Sequence, residues 1–145
     1  MTEAIITKNK KVPIPLSLFL VSISVLLDAS GDILHFYATI HNYDKFLHFF
    51  NSGVITYLIF IVLKDTLEEA DIGKFLTSAI LITIGSFFGT LYEIEEFLED
   101  VLIHHRQIRL GDGYDTAGDL SMNVLGCIVM TLILWKIMEK KRSIG

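Results

Sequence analysis

Apolar residues dominate four long stretches of the chain, and none of the four alternates strictly between apolar and polar positions. They run from Pro13 to about Phe36, from Phe46 to Leu63, from Phe75 to about Leu98, and from about Asp119 to Ile137. A hydrocarbon layer of roughly 30 Å takes about 20 helical residues, with latitude for tilt, so each stretch is long enough to cross it. Inside lipid the backbone must satisfy its own hydrogen bonds, and runs without alternation do not suit a barrel strand. The pattern therefore predicts an all-α chain, a four-helix transmembrane bundle in one integral membrane domain covering residues 1–145. Pro13 and Pro15 fit a helix start, where a missing N–H costs little. The mixed-charge segment from Lys64 to Lys74 reads as a solvated loop.

Composition agrees with this pattern. The 145 residues are 52% hydrophobic and 20% charged, too little polar surface for a water-soluble domain of this size. A net charge of -5 argues against a nucleic-acid partner, which needs clustered Lys and Arg. One cysteine, Cys127, excludes a disulfide framework and a cysteine-cluster zinc site.

Basic residues set the expected orientation. Lys8, Lys10, Lys11, Lys64, Lys74, Lys136, Lys140, Lys141 and Arg142 fall on one side, whereas Lys45, Arg106 and Arg109 fall on the other. The positive-inside rule then puts both termini in the cytoplasm of a multi-pass cell-membrane protein. Tyr37, Tyr43 and Tyr114 would lie near the outer interface and Trp135 near the inner one. The first run also has the basic flank and apolar core of a signal peptide, but Asp28 sits badly for a cut after Ser30.

Ionisable residues gather at one end of every predicted helix. The first carries Asp28, Asp32 and His35 at i, i+4, i+7, and the second opens with Asp44, His48 and Asn51 at the same spacing. The third ends with Glu93, Glu96 and Asp100, and the fourth opens with Asp115, Asp119 and Asn123. With alternating topology all four stripes meet at the outer level. Glu93 lies about 27 Å along the third helix from Phe75, inside or near the edge of the hydrocarbon. A charge there costs at least about 2.5 kcal/mol, so such residues face the bundle interior and find partners.

Asp28, Asp32, Asp44, Glu93, Glu96, Asp115 and Asp119 face only three permanent positive charges nearby, Lys45, Arg106 and Arg109, beside His35, His48, His104 and His105, so either several carboxyls hold protons or a bound cation neutralises them. Carboxylates with one or two imidazoles suit Mg²⁺, Mn²⁺, Ca²⁺, Fe²⁺ or Zn²⁺. The expected divalent metal ligands are His48, Glu93, Glu96 and Asp119, with Asp44 or Asp115 as general base and Asp28, Asp32 and Asn123 in support. Asp44, one turn before His48, is placed to take its second N–H. Helix capping is the competing explanation for Asp115 and Asp119, and Glu95, Glu99 and Asp100 read as solvated acids. Gly85 and Gly89 form G-x-x-x-G, which fits either close packing within the bundle or a homodimer.

Three ordered blocks carry a family resemblance: Tyr43-Asp44-Lys45-Phe46-Leu47-His48-Phe49, Leu91-Tyr92-Glu93-Ile94-Glu95-Glu96-Phe97, and Gly111-Asp112-Gly113-Tyr114-Asp115-Thr116-Ala117-Gly118-Asp119-Leu120 with Asn123 and Gly126. The chain resembles the YjdF-like bacterial inner-membrane proteins over roughly Tyr43 to Gly126, with Phe97 in place of their usual Trp. More loosely it resembles the VanZ-like proteins, which are associated with glycopeptide resistance. The resemblance implies a multi-pass membrane protein with functional positions at Asp44, His48, Glu93, Glu96, Asp115, Asp119 and Asn123. Nucleophile-elbow, P-loop and dinucleotide fingerprints are absent from the sequence. The expected function is a metal-dependent enzyme acting on a membrane lipid or lipid-linked polar group. A proton- or cation-coupled transporter and a non-catalytic lipid-binding accessory protein are the alternatives.

The topology has a direct test. In a Cys127→Ala background, cysteines introduced at Asn42 and Gln107 should react with an impermeant thiol reagent from outside, and cysteines at Thr66 and Ser143 should not. The reverse pattern would invert the assignment.

Overall fold

The computed structural model describes residues 14–105 and 112–144, all within helices and their short connections. Arg106 and Arg109, two of the three bases expected outside, lie beyond the described residues, as do Pro13 and the basic residues that precede it. The elements are α1 (Ile14–Ile33), α2 (Phe36–Thr39), α3 (Tyr43–Glu69), α4 (Lys74–Glu99), a π-helical turn at Asp100–His104, and α5 (Gly113–Ile144). Four of them, α1, α3, α4 and α5, are long and apolar enough to cross a membrane.

Two helices run further than the hydrophobic pattern alone indicates. The α3 helix continues through the charged residues after Leu63 to Glu69, so only a short turn remains of the expected loop from Lys64 to Lys74. Lys64 and Glu68, 3.9 Å apart at i, i+4, lie on this solvated extension. At the other end of the bundle α5 starts six residues before Asp119. The Asp112 carboxylate accepts the N–H groups of Tyr114 and Asp115, each at 3.0 Å, and so caps the helix start.

The first helix is shorter than expected. It stops at Ile33, and His35 adopts a left-handed backbone conformation (φ 57°) that starts the brief α2 turn. The chain folds back so that the Tyr37 ring covers Gly31, where a side chain would collide with it. Asp28, Asp32 and His35 consequently do not form one working face: Asp32 and His35 are exposed.

The bundle is built on α3, which packs against α1, α4 and α5, while α4 and α5 also pack on each other. Most of α1 faces outward, with Leu18, Phe19, Val25 and Leu26 exposed to the surrounding lipid. At the end remote from the ionisable residues the core consists of Tyr57, Phe60, Leu81 and Leu134. The Trp135 indole N–H donates to Ser78 Oγ there (2.9 Å), and Lys74 pairs with Glu139 (2.7 Å) while lying 5.2 Å from the Trp135 ring.

Glycines set the helix separations. A Cβ on Gly85 would lie 2.5 Å from Thr56 Oγ1 and 2.7 Å from Cys127 Sγ, and one on Gly89 would lie 2.5 Å from Asn123 Cγ. The G-x-x-x-G face of α4 is therefore filled by α3 and α5 of the same chain, so it is not open to a second copy, and the homodimer expectation at Gly85/Gly89 does not hold. Gly126 brings α5 directly onto the Phe49 backbone carbonyl.

Because the obstacle at Gly126 is backbone, Gly126→Ala should lower the unfolding free energy by about 1–3 kcal/mol, the usual cost of overpacking. Thermal unfolding in detergent should show the loss for Gly126→Ala and Gly85→Ala, and no comparable loss for Gly113→Ala, whose Cβ would meet nothing within 4 Å. Equal stability across the three would mean that the helices do not approach so closely.

Candidate metal centre

Turns of three helices converge near the end of the bundle that holds the α4–α5 connection. His48 lies five residues into α3 and Asp119 six residues into α5, about 8–9 Å along each helix from its start. Glu93 and Glu96, three residues apart near the end of α4, point to the same level. All four are buried, with His48 and Glu96 each 2% exposed. Burial in the interior of a membrane bundle removes the water that would otherwise solvate these charges.

The distal nitrogen of His48 is the focus. Its Nε2 lies 3.6 Å from Asp44 Oδ1, 3.8 Å from Glu93 Oε1 and 3.8 Å from Glu96 Oε2. These separations exceed a normal N–H···O bond of about 2.7–3.2 Å, and among the described residues Nε2 has no hydrogen-bonded partner. They do match donors around one ion: two ligands each about 2.1 Å from a metal, at angles of about 90–130°, stand about 3.0–3.8 Å apart. Ligand atoms of His48, Glu93 and Glu96 lie within 4.8 Å of one another, as do those of Asp44, His48 and Asp119. Glu93 Oε2 and Asp119 Oδ1 are likewise buried without a hydrogen-bonded partner.

The expected site residues thus divide into three groups. His48, Glu93, Glu96 and Asp119 are brought together, and Asp44 joins them. Asp44 faces Nε2, the nitrogen that faces α4, so it belongs among the donors and does not take the second N–H of the ring. Asp115 is ion-paired with Lys45, whose ammonium also stands 3.7 Å from Asp119. Gly118 makes this possible, since a Cβ there would lie 2.8 Å from Lys45 Cε. Asp28 is apart from the donors, accepting the hydroxyls of Tyr37 (2.7 Å) and Tyr92 (2.9 Å). Asp32 is exposed and outside the site.

The chain belongs to the DUF2238 family. The family described as "Predicted membrane protein (DUF2238)" matches residues 1–140, which agrees with the four spanning helices of a multi-pass membrane protein. An uncharacterized protein of Thermotoga maritima is 34% identical over 130 residues, covering 88% of this chain and 66% of that protein. The chain thus spans about two thirds of its relative's length. No solved structure matches it.

Several residues of this DUF2238 site escape a reading of charge periodicity. Asp100 is 3% exposed and not a solvated acid, because the π-helical turn keeps it against the bundle; its i+7 spacing from Glu93 was the available signal. Tyr92 packs edge-to-face on His48, with ring centroids 5.5 Å apart, and ties α4 to α1 through Asp28. Tyr43 donates to the Leu27 carbonyl (2.8 Å), so with Tyr37 on Asp28 it holds the end of α1 in place. Ser52 donates to Asn123 Oδ1 (2.7 Å), which turns the Asn123 amide toward His48 and leaves its Nδ2 buried without a hydrogen-bonded partner.

Beside the donors lies a cavity of about 160 Å³ that reaches Ser24 of α1, His48 and Asn51 of α3, Phe88 and Tyr92 of α4, and Asn123 of α5.

Proposed function

We propose that this protein is a divalent-metal enzyme that acts on the polar part of a membrane lipid or lipid-linked substrate. The observation that carries the reading is the unpartnered His48 Nε2 with three carboxylate oxygens at 3.6–3.8 Å, a spacing suited to a shared cation and too long for hydrogen bonds. His48, Glu93, Glu96 and Asp119 are the ligands, and Asp44 is the fifth donor. A bound divalent ion would polarise a substrate oxygen or lower the pKa of a bound water. Asp44, the least buried of the donors, is the proposed proton acceptor, and Asp115 is ion-paired with Lys45. The YjdF-like blocks identified in the sequence supply every one of these residues, and the basic-residue asymmetry assigns the centre to the outer leaflet.

Carboxylate and imidazole donors together admit Zn²⁺, Mn²⁺, Fe²⁺ or Mg²⁺. A transporter using the same acids would need ionisable groups to continue toward the opposite side. Among the described residues the buried carboxylates and imidazole all lie at the site end, and the other end is packed with Tyr57, Phe60, Leu81 and Leu134. That distribution favours one-sided chemistry over passage.

Elemental analysis of protein purified in detergent should find about one divalent ion per chain. Glu93→Gln and Asp119→Asn keep shape and remove charge, so each should weaken metal binding by at least the ~10–100-fold that follows loss of a supporting group. Glu99→Gln, at the rim with His104 3.6 Å away, should leave it unchanged. If the three variants bind metal alike, the donor set is wrong.

A further inference from the structure

The cavity beside His48 opens where the bundle is thinnest. The α1 and α4 helices do not pack on each other; the Tyr92–Asp28 hydrogen bond bridges the gap between them. Below that bridge the cavity runs from Ser24 on α1 to Phe88 on α4, and Phe88 is itself 44% exposed on the lipid-facing surface. Its inner wall is His48 and Asn123. The opening therefore faces the bilayer interior sideways, whereas the aqueous side is screened by the donor carboxylates and the Asp28–Tyr37–Tyr92 cluster.

Its lining states what fits. Among the described residues neither Lys, Arg, Asp nor Glu lines it, and it presents amide and hydroxyl groups from Ser24, Asn51, Ser52 and Asn123. The Asn123 Oδ1 already accepts from Ser52, so what remains toward the cavity is an N–H donor, 2% exposed and without a hydrogen-bonded partner. Such a donor calls for an acceptor oxygen, since an unmade buried hydrogen bond costs about 1–3 kcal/mol. A volume of about 160 Å³ leaves room for a group of phosphoester size.

Resting on the metal reading above, we infer that the substrate is a bilayer phospholipid that enters sideways between α1 and α4, placing a phosphoester oxygen between the Asn123 amide and the ion on His48. The acyl chains stay in the bilayer beside Phe88. Asn123 is a binding residue, and Gly89 positions it, because a Cβ there would lie 2.7 Å from Asn123 Nδ2.

The test uses the full chain loaded with Mn²⁺, a paramagnetic ion that carboxylate and imidazole ligands accept. In nanodiscs of phosphatidylglycerol, electron–nuclear double resonance on the bound Mn²⁺ should show a ³¹P coupling. Ser24→Phe, which fills the opening from α1, should abolish that coupling while keeping the Mn²⁺ signal. Should Ser24→Phe lose Mn²⁺ through misfolding, Phe88→Trp narrows the same opening from α4 and should diminish the coupling. A second arm uses phosphate-free maltoside detergent with inorganic phosphate. A ³¹P coupling there that survives Ser24→Phe would mean that phosphate arrives from water, and the lateral route would be overturned. Bound Mn²⁺ with no ³¹P coupling in phosphatidylglycerol would refute the phospholipid assignment and leave the metal centre standing. Failure to bind Mn²⁺ at all would remove the metal reading and this inference with it.

Discussion

Carboxylates gathered around one imidazole inside a membrane bundle form an arrangement that is unfavourable unless protons, hydrogen bonds or a cation offset its charge, and the rest of the structure serves to hold it. Asp44, Glu93, Glu96 and Asp119 approach His48 from three helices, and the resident base, Lys45, is directed at Asp115 and Asp119. Removing like charges from water raises their energy by several kcal/mol each unless opposite charge or hydrogen bonds compensate. In the proposed reading a divalent ion would supply opposite charge at the spacing these side chains hold.

The scaffold explains how such a cluster is kept together. The α3 helix lies at the centre and supplies His48, and its neighbours come close only because Gly85, Gly89 and Gly126 remove side chains from the contacts. Ser52 joins two of these layers: its hydroxyl fixes Asn123, and its carbonyl accepts from Thr56 (2.8 Å) and from the Cys127 thiol (3.8 Å). Small and hydroxyl-bearing residues at helix contacts are the usual means of association where lipid removes the hydrophobic drive. The core at the opposite end of the bundle is apolar, so the buried ionisable residues and the apolar core are segregated along the helix axis.

Much of this was legible in the sequence because helical spacing converts directly into shared faces. Asp44 and His48, Glu93 and Glu96, and Asp119 and Asn123 sit at i+3 or i+4 in uninterrupted helices, and they meet in space. The same logic failed for Asp32 and His35, because the left-handed residue His35 ends the regular spacing before the stripe is complete. Charge alone also misassigned Asp100, which the π-helical turn buries, and it gave no hint that Asp28 would satisfy two tyrosines. The partnership of Lys45 with Asp115 depends on a glycine 73 positions away from the lysine, Gly118, and no local pattern encodes it.

The most direct measurement is X-ray absorption at the edge of whichever metal the purified protein retains. A centre built on His48, Glu93, Glu96 and Asp119 should give a first shell of oxygen with a single imidazole nitrogen, at about 2.0–2.2 Å, and imidazole outer-shell scattering that disappears in His48→Ala. A shell of oxygen alone, unchanged by His48→Ala, would contradict the account, because the ion would then lie away from the nitrogen on which the carboxylates converge.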